Sequence, residues 1–330
     1  MRVGALNSVL MVQLAVVSCF RQHLLHKLKY EKHPNWKLLP FDECGRREGF
    51  DHDMAEEGVA GLGQHPWIAA IMLIKKSAGT EEYQCSGSII NDRYILTAAH
   101  CVHPKLRIKV RLGEHTHSTY VDCRRQGDKT RCAPPREDEE VEKVILHPQY
   151  YFTKDQYRAN NDIALVRLKR PIDGFNDYIR PICLPTFASH MSYVGQDLEV
   201  AGWGKTGSGR NSDQLHTVKV PVISEKECVS IWGEALVDDE RCQVKGEEWC
   251  QVDIGDNEIC AGGEEGKGVK KGYSGGPLMT SLPVSGVGRI MFIVGVVSYG
   301  VEKPDRSSFV PDVYMRVSKY MDWILDEIYD

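Results

Sequence analysis

Three short stretches of the sequence carry side chains that together could perform acyl transfer. His100 lies in LTAAHC, Asp162 in NNDIALVRL and Ser274 in the glycine-rich GYSGGPL. Acyl transfer needs a hydroxyl nucleophile, an imidazole that takes its proton, and a carboxylate that fixes the imidazole tautomer. It also needs backbone N–H donors for the developing oxyanion, and glycines beside Ser274 allow the close approach this requires. Each residue alone has an ordinary structural explanation, so the combination carries the prediction.

The elements that position these residues are predicted to be mostly strands. From Pro66 onward, short runs rich in β-branched residues alternate with Gly, Pro, Asn and Asp, a pattern typical of a sandwich or barrel. The predicted strands are Trp67–Leu73, Ser86–Ile90, Val141–Ile145, Asp162–Leu168, Leu198–Gly202 and Met291–Tyr299. At the end of the chain, apolar residues in Val317–Tyr329 recur at helical spacing, with Ser318 as a plausible cap. One amphipathic C-terminal helix is therefore expected on a β body.

Composition and cysteine content indicate a secreted globular protein. The 330 residues are 42% hydrophobic, with a net charge of -5 that gives no reason to expect nucleic acid as a partner. Eleven cysteines are typical of a disulfide-bonded extracellular chain. Residues 1–19 have a basic start and an apolar run over Val9–Val17, which predicts a cleaved signal peptide. No other run approaches the roughly 18–20 apolar residues that span a bilayer, so we expect no membrane contact after signal removal.

The three motifs occur with other stretches that resemble one family. These further stretches are VAGWGKT (Val200–Thr206), RPICLP (Arg180–Pro185) and VVSYG (Val296–Gly300). Over about residues 54–330 the chain resembles the chymotrypsin/trypsin family of serine proteases. The resemblance implies an all-β fold of two six-stranded antiparallel barrels with a C-terminal α-helix. It also implies cleavage of peptide bonds without a cofactor.

More specific sequence features resemble the arthropod clip-domain type of this family. HPNWKLLPFDECG (His33–Gly45) is similar to the linker that joins a clip domain to its protease, and the Cys123 and Cys132 pair also resembles that group. A clip domain would need about six cysteines upstream, and only Cys19 is there, so we expect none. Residues 20–53 are interpreted as a linker or pro-segment, extended around Leu38–Pro40, ahead of a protease domain at 54–330.

The resemblance assigns roles to individual residues. Ser274 would be the nucleophile, His100 the general base and Asp162 its orienting carboxylate, with backbone N–H groups of Gly272 and Ser274 as the oxyanion hole. Gly268, Ser298, Gly300 and Asp312 would line the substrate-binding groove. The implied disulfides are Cys85–Cys101, Cys44–Cys183 and Cys123–Cys132. Two more bridges would join Cys228, Cys242, Cys250 and Cys260, with their pairing left open.

The sequence departs from the family in its activation apparatus. Family members are cut after a basic residue, and the freed ammonium group pairs with an Asp directly before the nucleophile. Here the matching stretch, Asp53–Glu57, lacks the basic residue and the glycines, and Tyr273 replaces the Asp. A phenol is neutral at pH 7 and cannot serve as counter-ion. One misplaced oxyanion donor would lower the rate about 10²–10³-fold, so weak or no activity is predicted. A cut after Arg46 or Arg47 remains open.

The specificity pocket departs from the family as well. Lys270 replaces a cysteine, and its expected partner near Pro304 is absent too. Gly268 stands where trypsin-like enzymes carry an Asp, whereas Asp312 stands where Gly is usual. One hypothesis is that Asp312 supplies the missing negative charge and keeps a preference for Lys or Arg. The alternative is that Asp312 merely fills a degenerate pocket.

Two hypotheses about function therefore remain, and a third explanation accounts for fewer of the departures from the family. The first is a trypsin-like endopeptidase in an extracellular cascade, with protein substrates or cascade partners and serpin-type inhibitors. The second is a catalytically inactive homologue that acts as a binding partner or cofactor. The third, a sequence error around residues 268–273, leaves Asp53–Glu57 unexplained. The acidic stretch Glu137–Glu140 resembles a calcium-binding region of some relatives, but it is more typical of a solvated charged loop, so no metal is expected.

Overall fold

The computed structural model describes eleven parts of the chain. They are residues 29–47, 58–75, 79–153, 158–186, 191–204, 211–237, 254–264, 269, 272–284, 286–300 and 310–330. Several features predicted from sequence lie outside them: the signal peptide, the stretch Asp53–Glu57, Gly268, Lys270, the region around Pro304, Cys242 and Cys250. Within the described parts no helix is long and apolar enough to cross a lipid bilayer.

The first half of the chain forms a closed barrel of six antiparallel strands. They are β1 (Ile68–Ile74), β2 (Glu81–Ile89), β3 (Tyr94–Thr97), β4 (Ile108–Leu112), β7 (Glu137–Leu146) and β10 (Ala164–Leu168). Their order around the barrel is β1-β2-β3-β10-β7-β4. Two hairpins project from it, β5 (Cys123–Gln126) with β6 (Lys129–Cys132) and β8 (Tyr151–Thr153) with β9 (Arg158–Asn160). Leu165 lies opposite Leu96 and Ile145, and all three side chains are buried.

The second half forms another closed six-stranded antiparallel barrel. Its strands are β11 (Asp197–Gly202), β12 (His216–Ile223), β13 (Glu258–Gly262), β14 (Pro277–Val284), β15 (Gly288–Tyr299) and β16 (Pro311–Arg316). They close in the order β11-β12-β13-β16-β15-β14. One apolar cluster contains residues of both barrels, and Nε1 of Trp67 donates to Sδ of Met279 at 3.1 Å where they meet. The two barrels confirm the predicted fold class.

Two strand predictions need correction. Asp162 is not part of a strand, because β10 begins at Ala164. The chain turns just before it, at Asn161, whose φ of 49° is left-handed, and this turn leaves the Asp162 carboxylate at the strand entrance. The acidic stretch Glu137–Glu140 is not a loop but the first part of β7, paired with β4.

Two α-helices that lie wholly within the described residues pack on the barrels, and the sequence predicted one of them. The C-terminal helix α2 (Met321–Glu327) is shorter than predicted and follows a 3-10 turn over Val317–Lys319. Ser318 is buried in that turn and does not cap the helix. Helix α1 (Glu225–Val237) was not predicted, since its apolar spacing is interrupted by polar residues. The disulfide between Cys228 and Cys260 ties α1 to β13.

The segment before the first barrel packs against the C-terminal helix. Pro34–Leu38 form a 3-10 turn, and the predicted extended conformation is present at Leu39. The side-chain amide of Asn35 donates to the carbonyl of Leu325 at 2.9 Å. Residues 29–47 therefore belong to the packed body, with Cys44 bonded to Cys183.

Candidate active site

The imidazole of His100 and the carboxylate of Asp162 form a hydrogen-bonded pair between the barrels. His100 lies in a 3-10 turn (Ala99–Cys101) after β3, and its Nδ1 is 2.7 Å from Oδ2 of Asp162. The backbone N–H of His100 donates to Oδ1 at 2.8 Å, and Oγ of Ser298 donates to Oδ2 at 2.5 Å. A carboxylate held on both oxygens selects the tautomer with the proton on Nδ1, so Nε2 is left as the proton acceptor.

Burial and charge act in opposite directions on this pair. The side chain of Asp162 is fully buried, whereas that of His100 is 30% exposed. Burial alone would raise the pKa of Asp162, but the charge and hydrogen bonds of His100 outweigh it and hold that pKa below its ordinary value. Burial alone would lower the pKa of His100, but the Asp162 carboxylate overrides this and raises it. The pair therefore stabilises the imidazolium that forms when His100 accepts a proton.

Ser274 lies in a loop that packs against the first barrel. Its carbonyl accepts the backbone N–H of Ser86 at 2.9 Å. Gly275 has a φ of 76°, and a Cβ there would overlap Oγ1 of Thr97, so only glycine fits. Within the described parts of the chain, the N–H groups of Gly272 and Ser274 donate to no acceptor. Two adjacent backbone donors therefore remain available to an oxygen atom of a ligand.

Ser274 and His100 are not hydrogen-bonded to each other in this structure. Among the described residues the Ser274 hydroxyl has no hydrogen-bond partner, while Nε2 of His100 lies 3.6 Å from Sγ of Cys101. Ligand atoms of Cys85, His100 and Cys101 cluster within 4.8 Å, but the two sulfurs form a disulfide and offer no thiolate to a metal ion. The structure therefore shows His100 hydrogen-bonded to Asp162, with no hydrogen bond from Ser274 to this pair, and the role of the three residues as a triad stays a prediction.

Tyr273 occupies the position before the serine with a buried aromatic ring. The ring packs in the apolar core of the second barrel with 7% of the residue exposed, and a Cβ on Gly202 would lie 2.9 Å from its Cδ1. Burial raises the pKa of the Tyr273 hydroxyl to about 12. The phenol is therefore neutral at physiological pH and supplies no counter-charge for an ammonium group.

Asp312 is a buried residue of β16 that lies next to Val269 and Gly300. Its Oδ2 accepts the backbone N–H of Val269 at 2.8 Å, and a Cβ on Gly300 would overlap its Oδ1. Burial raises the pKa of Asp312 to about 8, and the Val269 hydrogen bond offsets only part of this effect. Val269 and Gly300 thus both lie against one buried carboxyl group. Ser298, expected only to line a substrate-binding groove, donates a hydrogen bond to Asp162.

Four disulfides are present in the described parts of the chain. Three of them join the pairs that the family resemblance implies: Cys44–Cys183, Cys85–Cys101 and Cys123–Cys132. The fourth joins Cys228 to Cys260, which was left open by the sequence. The Cys85–Cys101 bond links β2 to the turn that carries His100 and so fixes the imidazole beside the barrel interface.

Two residues that contact the serine loop were missed by sequence reasoning. The hydroxyl of Tyr83 donates to the carbonyl of Gly272 at 2.6 Å and also lies 2.8 Å from Oγ of Ser86. A tyrosine and a serine on a strand usually serve packing, so the sequence carries no signal for these contacts. Their partner is more than 180 residues away and is brought near only by the docking of the two barrels.

The acidic stretch on β7 does not fit a calcium ion. Asp138 accepts hydrogen bonds from Lys109 at 2.6 Å and from Arg111 at 2.7 Å, and Glu140 binds Lys169 at 2.6 Å. Calcium sites are built from carboxylate and carbonyl oxygens that are free to face one cation. Here lysine and arginine side chains already neutralise these carboxylates.

Comparison with known proteins places this geometry in a family. The family model described as Trypsin matches residues 59–324. Phenoloxidase-activating factor 3 of Holotrichia diomphalia is 37% identical over 289 residues, which are 87% of this chain and 75% of that protein. Spaetzle-processing enzyme of Drosophila melanogaster is 38% identical over 277 residues, 81% of this chain and 64% of that protein.

A solved structure agrees with these sequence matches. The Grass clip serine protease of the Drosophila Toll pathway superposes with a TM-score of 0.66 at 32% identity. The superposition covers 86% of this chain and 74% of that one. Both barrels, the His100–Asp162 pair and the Ser274 loop lie within residues 59–324, which the family model matches.

Proposed function

Since the chain belongs to the trypsin family of serine proteases, we propose that it is an endopeptidase that cuts protein substrates in an extracellular cascade. The observation that supports this most is the bonded His100–Asp162 pair together with the N–H groups of Gly272 and Ser274, which donate to no acceptor among the described residues. Relatives named for activating phenoloxidase or processing Spaetzle act on other proteins, and by likeness a protein is the substrate here.

The mechanism assigns one task to each group. Oγ of Ser274 attacks the carbonyl carbon of the scissile bond while Nε2 of His100 takes the hydroxyl proton. Asp162 holds Nδ1–H and stabilises the imidazolium, and the N–H groups of Gly272 and Ser274 bind the oxyanion. His100 then returns the proton to the leaving amine, which leaves an acyl-serine. A water molecule, deprotonated by His100, hydrolyses that ester and restores the hydroxyl.

The same geometry sets a limit on the rate. The hydrogen bond from Ser274 to Nε2 of His100 must form when substrate binds, since it is absent here, and such bonds commonly tighten only in the complex. The position of Tyr273 offers no ion pair to order the loop. We therefore propose that turnover is weaker than in relatives with an intact activation pair.

A second candidate is a non-catalytic homologue that binds a partner of the cascade. It is favoured by the unpartnered Ser274 hydroxyl and by the aromatic ring of Tyr273 where a carboxylate would be needed. In that case the groove would bind a protein segment without cutting it, and serpin-type inhibitors would not be trapped.

Substrate preference is proposed to come from Asp312. Its carboxyl group stands between Val269 and Gly300, beside the groove that would take the substrate side chain. When ionised it would attract Lys or Arg, while the neutral acid would leave the groove without that attraction. The position of Gly268 is outside the described residues, so Asp312 carries this proposal alone.

Secretion is likewise a proposal, supported by the four disulfides. Disulfides persist in oxidising compartments and are rare in the cytosol. The predicted signal peptide at residues 1–19 agrees with export of the chain.

Covalent labelling of Ser274 separates the two candidates. A fluorophosphonate probe forms a bond from Ser274 Oγ to phosphorus, fluoride leaves, and the hydroxyl proton goes to His100. We expect stoichiometric labelling of the wild type, none of Ser274→Ala, and slow labelling of His100→Ala. A folded wild-type protein that takes up no label and cleaves no peptide library would favour the non-catalytic homologue instead.

A further inference from the structure

Three consecutive carbonyl groups of the serine loop are held by hydrogen bonds. The Gly272 carbonyl accepts from the Tyr83 hydroxyl at 2.6 Å, and that of Tyr273 accepts from the N–H of Gly276 at 2.9 Å. The Ser274 carbonyl accepts from the N–H of Ser86 at 2.9 Å. All three carbonyls are thus held, while the N–H groups of Gly272 and Ser274 donate to no acceptor among the described residues.

The Tyr83 bond is the only one of the three that uses a side chain. Gly272 has a φ of 107°, which L side chains rarely adopt, and glycine has the least restricted backbone of all residues. A Cβ there would lie 2.7 Å from Cα of Gly204, so there is no room for a side chain at this position. The hydrogen bond from Tyr83 to the Gly272 carbonyl restricts the backbone torsions of Gly272, which glycine alone leaves unrestricted.

Tyr83 is itself rigidly placed. Its ring packs edge-on to Trp203 with centroids 5.6 Å apart and lies 5.0 Å from the His117 ring. Burial raises the pKa of the Tyr83 hydroxyl, so it stays a neutral donor at any physiological pH. Its single proton points to Gly272, and therefore Ser86 Oγ must be the donor in the 2.8 Å contact with Tyr83. Ser86, Tyr83 and Gly272 thus form a short directed chain of hydrogen bonds.

We propose that Tyr83 is a positioning residue that orders the oxyanion loop in place of an activation ion pair. Tyr273 cannot supply the carboxylate of such a pair, yet among the described residues the N–H groups of Gly272 and Ser274 donate to no acceptor. The Tyr83 hydroxyl provides, from the other barrel, a neutral restraint on the same loop. It follows that the uncleaved chain already has an oxyanion hole and needs no freed N-terminus to form one. This inference rests on the proposed function.

The test compares hydroxyl deletions in the full uncleaved chain. Tyr83→Phe keeps the ring and removes the donor to Gly272, and we expect fluorophosphonate labelling of Ser274 to slow about 10- to 100-fold. With a peptide substrate, kcat should fall while KM stays within about twofold, because the oxyanion forms only after binding. Tyr193→Phe is the matched control, since it removes a buried hydroxyl for which the described part of the chain offers no hydrogen-bond partner, and its rates should equal the wild type.

Each result of the labelling test either supports or overturns the role of Tyr83. Equal labelling of Tyr83→Phe and wild type overturns the role of Tyr83 and leaves the proposed function standing. Labelling that appears only after an arginine-specific cysteine protease has cut the wild type also overturns it, while still showing an enzyme. If Tyr83→Phe does not fold, Ser86→Ala serves instead: it leaves the ring and frees the Tyr83 hydroxyl to turn away. A three- to tenfold slower reaction of this variant supports the hydrogen-bond chain, and an unchanged rate overturns it.

Discussion

Oδ2 of Asp312 accepts the backbone N–H of Val269 at 2.8 Å. The carboxyl group is buried, and among the described residues this is the only hydrogen bond it accepts, so its charge is poorly stabilised. Its pKa of about 8 in the folded chain compares with about 3.9 for an unfolded aspartate. Asp312 therefore changes charge in the folded protein near physiological pH.

The stability of the fold should depend on the Asp312 proton. Because the folded pKa is the higher one, the group stabilises the fold fully below about pH 4, and this contribution is lost as the pH rises through about 8. Asp312→Asn has no proton to lose at this position and so lacks this loss of stability. Its free energy of unfolding should therefore increase relative to that of the wild type as the pH rises from 5 to 8. Urea unfolding at both pH values measures this. Asp173→Asn, at an exposed position, is the control, and its free energy of unfolding should change with pH as that of the wild type does.

Preference for basic substrates should also rise with pH. The ratio of kcat/KM for an arginyl peptide over its norleucyl analogue should increase between pH 6 and 9, because only ionised Asp312 attracts the guanidinium group. Asp312→Gly should give a ratio near one at every pH. A flat ratio in the wild type, or no effect of the substitution, would show that Asp312 only fills the pocket.

The reactivity of Ser274 should follow the protonation of His100. The general base must be neutral, so labelling should speed up as the pH rises through a pKa above the ordinary value of about 6.5. In Asp162→Asn the burial of His100 remains but the carboxylate charge is lost, so this midpoint should fall. The rate at pH 8 should drop on the order of 10⁴-fold. Asp177→Asn, at a side chain 41% exposed, should leave the midpoint unchanged, and an unchanged midpoint in Asp162→Asn would contradict the pairing.

Much of the fold was predictable because its signals are local. β-branched runs with Gly and Pro between them indicated the strands, and the motifs around His100 and Ser274 indicated the candidate site. The capping role of Ser318 was wrong because tertiary packing, which buries that residue in a 3-10 turn, overrides local preference. Contacts such as Tyr83 with Gly272 could not be predicted, since they depend on how two barrels dock. The charge state of Asp312 likewise depends on burial, which the sequence does not display.

Arg47 is one of the two arginines after which activation cleavage was considered, and the fold protects it. Its Nη2 lies 2.9 Å from Oε1 of Glu199, its side chain is 14% exposed, and its guanidinium stacks 5.4 Å from the Trp67 ring. Glu199 also accepts a hydrogen bond from Gln64 at 3.1 Å. A protease must draw its target arginine into its own pocket, which would break these contacts.

Cleavage after Arg47 should therefore be slow in the native protein and faster in Glu199→Gln. Removing one partner of a largely buried ion pair typically costs about 3–5 kcal/mol, so Arg47 should leave its place far more often. We expect at least a tenfold increase in cutting by an arginine-specific protease, measured by intact mass. Glu43→Gln is the control, because Glu43 is exposed and pairs with Arg180 instead. Rapid cutting of the wild type, or equal rates in both variants, would show that the Arg47–Glu199 pair does not shield this bond.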